Sequence, residues 1–80
     1  MLWMIKKISE NDDEIIVGYN PGSDKRFDGR IVYNRKEQET HLESLAEGSN
    51  EFDGKKCAGH TRTKILKGLL KDEPVMIALG

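Results

Sequence analysis

SNEFDGKKCAGHTRTKILKGLLK, residues 49–71, is the stretch that decides the fold. Ser49 and Asn50 are good helix N-caps, and Glu51 and Asp53 put negative charge in the first turn, where the helix dipole favours it. From Lys55 to Lys71 there are six lysines and arginines and no acid. At 3.6 residues per turn, Lys56, His60, Lys64, Lys67 and Lys71 fall within an arc of about 80°, with Ala58, Ile65, Leu66 and Leu69 roughly opposite. The spacing predicts one amphipathic helix over about 50–71, with a basic outer face, halted by Pro74. Gly54, Gly59 and Gly68 each cost a helix about 1 kcal/mol relative to alanine. The helix therefore depends on packing, and Phe52, Ile65, Leu66, Leu69 and Leu70 are the residues expected to dock it on a sheet.

Outward from the helix the pattern is that of strands. Leu2 to Ile8 and Glu14 to Tyr19 are β-branched or aromatic runs separated by Ser9, Glu10, Asn11, Asp12 and Asp13, which reads as a hairpin. Asn20-Pro21-Gly22-Ser23-Asp24 then turns the chain out of the sheet. Arg30 to Asn34 supplies a third strand. Thr40 to Ala46 is ambiguous: Thr40 and Glu43 have capping-box spacing ahead of Leu42, Leu45 and Ala46, but the segment also sits a hairpin's length after the third strand. A strand is the better choice, because an isolated two-turn helix is marginal and a strand gains a hydrogen-bonded neighbour. Val75 to Leu79 is apolar throughout, which predicts a final strand over 75–79 away from the sheet edge.

This order predicts an α+β fold of two layers: a mainly antiparallel four- to five-stranded sheet with one long helix across one face. Eighty residues allow a single domain, 1–80. Apolar residues at 36% and charged residues at 34% suit a folded chain with a solvated surface. The single cysteine, Cys57, excludes an internal disulfide and a multi-cysteine zinc site, and fits a reducing, cytoplasmic setting. The apolar start is five residues long and precedes Lys6 and Lys7, the reverse of a secretory signal. No run nears the roughly 18 apolar residues of a membrane span.

Candidate chemistry is sparse. Cys57, His60 and His41 are the types a thiol nucleophile and its base would use, but spacing alone gives them no oxyanion hole or cleft, so no catalytic residue is assigned and the chain is read as a non-enzyme. Neither histidine lies in an HxxxH or HExxH pair, and no metal or cofactor is expected. Asp12, Asp13 and Glu14 lack calcium-loop spacing and read as a solvated turn. Lys55 and Arg62 lie near the apolar side of the helix, where their stems can run along the core towards an acid on the sheet rim. The loop from Asn20 to Gly29 is a recognition loop or a connection anchored by Phe27.

The strongest functional signal is a surplus. If Trp3, Ile5, Ile15, Val17, Ile31, Tyr33, Ile77 and Leu79 face the helix, then Leu2, Met4, Ile16, Val32, Met76 and Ala78 alternate onto a face that one helix cannot cover. Contiguous apolar patches of that kind mark interfaces, unless the segment from Arg35 to Gly48 folds over them. The expectation is a small protein–protein interaction module that binds a partner or a second copy of itself through the open face. The alternative is weak nucleic-acid or anion binding through Lys56, His60, Lys64, Lys67 and Lys71, against which stand a net charge of −1 and few aromatics for base stacking.

Overall fold

The computed structural model describes residues 2–22 and 26–78. Its elements are β1 (Leu2–Glu10), β2 (Glu14–Pro21), β3 (Gly29–Asn34), β4 (Glu39–Ser44), α1 (Glu51–Leu66) and β5 (Val75–Ala78). The strands form one antiparallel sheet in the order β4-β3-β2-β1-β5, with α1 packed on one face, an α+β two-layer fold. Four strands meander in chain order; the helix then carries the chain back across the sheet, so that β5 pairs with β1 at the opposite edge.

Local chemistry explains the turns. Asn11 closes the β1–β2 hairpin by accepting from the backbone of Asp13 and Glu14 at 2.8 and 2.9 Å. The same device recurs at Asn34, whose side chain accepts from Glu37 N at 2.9 Å. Residues 39–44 are a strand, so the Thr40–Glu43 spacing is not a cap; Thr40 Oγ1 instead donates to Ala58 O of the helix at 2.8 Å. The true cap is Asn50, whose Oδ1 accepts from Asp53 N at 2.8 Å.

Strand parity holds. Trp3, Ile5, Ile15, Val17, Ile31, Tyr33 and Ile77 are all buried on the helix side, while Leu79 lies outside the described residues. Tyr19 joins them, as its odd position beside Ile15 and Val17 requires. Its ring lies 6.1 Å from that of Trp3, and its hydroxyl meets Ser49 Oγ at 2.9 Å and accepts from Ala46 N at 3.1 Å. The core is therefore tied to the start of the helix.

The helix differs from expectation at both its end and its face. It stops at Leu66 rather than about residue 71, because Gly68 takes φ +70° and the chain folds back: Gly68 N donates to Ile65 O and Leu69 N to Lys64 O, at 3.0 and 2.8 Å. This is the Schellman closure, for which glycine is the preferred residue. The buried face is Gly54, Cys57, Ala58 and Thr61, small side chains at helical spacing, with Ile65 and Leu70 at the margin of the core. Phe52 is 67% exposed, and Leu66 and Leu69 are exposed as well, so three of the five predicted docking residues face solvent. A stripe of small residues brings the helix close to the sheet: a Cβ on Gly54 would lie 2.8 Å from a methyl of Leu42 and 2.9 Å from Tyr19 Oη.

The last strand also departs from expectation. β5 is an edge strand, and its apolar run reflects a core residue, Ile77, between exposed Met76 and Ala78.

Candidate functional site

The face of the sheet away from α1 carries the candidate site. Leu2 pairs with Ala78 and Met4 with Met76 across β1 and β5, and Ile16 pairs with Val32 across β2 and β3. Leu2 and Met76 are 51% and 54% exposed, Ala78 is exposed, and Met4, Ile16 and Val32 are half-buried. The six residues thus lie on one face, but they do not make one patch.

What divides them is Phe27. The rows of the sheet place Gly18, between Lys6 and Arg30, in the gap between the Met4–Asn20 row and the Ile16–Val32 row. A Cβ at Gly18 would come within 3.1 Å of both Phe27 Cβ and Ile8 Cδ1, so the absent side chain is the seat on which Phe27 rests. Phe27 is buried and holds φ +50°, a left-handed conformation that a bulky residue keeps only where its surroundings over-determine it. Lys6 Nζ stands 5.1 Å from its ring centroid, and Arg30 Nη1 donates to its carbonyl and, at 3.0 Å, to that of Gly29. Ile8 itself sits at an irregularity in the β1–β2 register, between Lys7 and Ser9. Part of the surplus is therefore covered by Phe27. The cover comes from residue 27 and not from the 35–48 segment, whose middle is β4 itself.

Two apolar areas result. Ile16 and Val32 form a half-buried margin beside the Phe27 seat. Leu2, Met4, Met76 and Ala78 form a corner on β1 and the free-edged β5, with no cover among the described residues. Next to Met4 in the same row, the Asn20 side chain is fully buried, and among the described residues neither its Oδ1 nor its Nδ2 has a hydrogen-bond partner.

The basic stripe is shorter than its sequence spacing implies. Lys56, His60 and Lys64 are on the helix; Lys67 is its C-cap, and Lys71 lies beyond it, its carbonyl accepting from Lys7 N at 3.0 Å. Lys56 Nζ sits 4.5 Å from the centroid of the exposed Phe52 ring, a cation–π contact on the solvent side. Among the described residues Arg62 and Lys55 reach no sheet acid: Arg62 Nε donates to Gln38 O at 2.6 Å, and Lys55 pairs with Glu51 at 2.9 Å one turn back.

Cys57 and the histidines do not converge. Cys57 is fully buried, and its thiol is pushed up to about 12 by burial and, secondarily, by the charge of Asp53. His60 is exposed on another side of the helix, and His41 lies 3.3 Å from Glu37 on the sheet. Among the described residues no three histidine, cysteine or acidic side chains are grouped to hold a metal, and no helix is long and apolar enough to cross a membrane. Compared with known protein families, curated proteins and solved structures, the chain matches none.

Proposed function

We propose that this protein is a non-enzymatic interaction module that docks another protein surface, in the first instance a second copy of itself, through the corner made by Leu2, Met4, Met76 and Ala78. The observation that carries the proposal is the coincidence of an uncovered apolar surface with a free sheet edge. Met76 and Ala78 belong to the last strand of the sheet and are exposed, and their partners in β1 extend the same surface inward. A second copy laid on this corner removes apolar area from water and offers the unpaired backbone of β5 a hydrogen-bonding neighbour.

Covering on the order of a few hundred Å² at about 25 cal/mol per Å² is worth several kcal/mol before the cost of association. A stable interface needs about 800 Å² per partner, so the corner acts as its apolar centre, with Ile16 and Val32 at the periphery and the polar residues around them as rim. A concentration series by light scattering tests this. Association that weakens in Met76→Glu supports the reading, and salt separates it from phosphate binding by Lys56, His60 and Lys64, since apolar docking survives moderate salt while phosphate contacts weaken steeply.

A further inference from the structure

The other free edge of the sheet borders a groove. It is about 680 Å³ in volume and runs between β4 and the stripe of α1 formed by Glu51, Lys55, Ala58, Gly59 and Arg62. Consecutive residues 39–45 line it and no residue of β3 does, which places it on the outer side of β4, where the strand's backbone has no neighbour. Leu42, Leu45 and Ala58 give it an apolar lining, and a Cβ on Gly59 would meet nothing within 4 Å. Its length matches a short strand: six residues of β4 span about 20 Å, and the helix from Glu51 to Arg62 about 17 Å.

We infer that β4 accepts an extended peptide strand in which basic residues alternate with short apolar ones. Three features select that chemistry. The unpaired N–H and C=O groups of an edge strand bind main chain in extended form, as in strand addition generally. Alternate side chains of an added strand point to opposite faces, so one set enters the space over Gly59 and beside Leu42 while the other lies across from Glu39, His41 and Glu43. On that second face Glu39 and Glu43 have no ion-pair partner among the described residues, whereas the cations beside the groove are committed, Lys55 to Glu51 and Arg62 to the Gln38 carbonyl. Opposite charges directly across an antiparallel pair are favourable, and like charges are not. The two acids thus favour basic strands over neutral ones and disfavour acidic ones.

The probe is an end-capped heptapeptide of alternating lysine and valine, titrated into the isotopically labelled full chain and followed by backbone amide NMR. Saturable shifts in residues 39–45 and 51–62 are expected. Affinity should fall at least tenfold when alternate peptide nitrogens are methylated, when the lysines are replaced by glutamates, and in Gly59→Gln, which fills the groove; Gly59→Ala should bind like the parent. In the double variant Glu39→Lys with Glu43→Lys, the preference should reverse towards the glutamate–valine peptide. Absence of saturable shifts at millimolar peptide overturns the inference, as does undiminished binding of the methylated peptide. It is equally overturned if residues 39–45 shift with protein concentration alone, since a second copy then occupies the edge. Met76→Glu should leave peptide binding unchanged, which keeps this test separate from that of the opposite corner.

Discussion

Gly54 shows how much of this fold turns on the absence of side chains. Its Cα lies where the helix meets Leu42 and the Tyr19 hydroxyl, and that hydroxyl also receives Ala46 N and contacts Ser49. A methyl group there must displace the half-buried Leu42 or a tyrosine held by hydrogen bonds. Gly54→Ala is expected to destabilise the protein by about 1–3 kcal/mol, the usual range for overpacking and larger than the helix propensity that alanine gains; urea denaturation measures it. At Gly18 the missing side chain is filled by Phe27. Strand alternation was legible in the sequence because period 2 is independent of partners, and every described residue assigned to the helix side is buried. The role of Gly18 was not legible, because nothing local to the residue announces that Phe27, nine positions later, will lie against it.

At the level of elements, the helix ends earlier than its periodicity predicts, for a physical reason. Periodicity continues through Leu69 and Lys71, but a glycine that ends a helix and a glycine inside one look alike until the φ of Gly68 is seen to be positive. Gly68→Ala forces a Cβ into the left-handed region with open space around it, so the penalty is conformational: about 1 kcal/mol, read as a lowered denaturation midpoint with an unchanged slope. In β5 an unbroken apolar run predicts an interior strand, but an edge strand with one uncovered apolar face has the same composition.

The strand ends carry a charge cluster that links the two hairpins. Glu10 accepts from Lys7 Nζ at 2.6 Å and from Arg35 Nη2 at 2.6 Å, and Arg35 Nε also donates to Asn11 O at 2.9 Å. Lys7, first, and then Arg35 hold the Glu10 carboxyl below its usual range. A carboxylate depressed in the folded state stabilises above the unfolded value of about 4.3 and ceases to do so as pH falls through the folded one. Glu10→Gln should therefore melt below the parent at pH 7, with the difference closing as the solution is acidified below pH ~4, and should narrow the gap with added salt because the cluster is solvent-exposed.

For the whole molecule, one helix docked by small residues packs on one face of the five-stranded sheet, and among the described residues Phe27 shelters the middle of the other. The two ends of the sheet are left different. β4 presents acids beside a groove, and β5 presents Met76 and Ala78 beside Leu2 and Met4. That the second face would be incompletely covered followed from counting apolar strand positions against a single helix. Where the uncovered area would lie did not, since strand order and the seat of Phe27 both depend on long-range pairing. Because Val32 is half-buried beside the Phe27 seat and Met76 is exposed at the corner, glutamate at the two positions should act differently: Val32→Glu lowers stability, whereas Met76→Glu leaves stability nearly unchanged and removes association.

Sedimentation velocity of the parent and of Met76→Glu, from low micromolar to near-millimolar concentration at moderate salt, tests the apolar corner most directly. The expected result is a parent that passes from monomer to dimer beside a folded variant that stays monomeric throughout. A parent that remains monomeric over the whole range, or a variant that associates equally well, contradicts it.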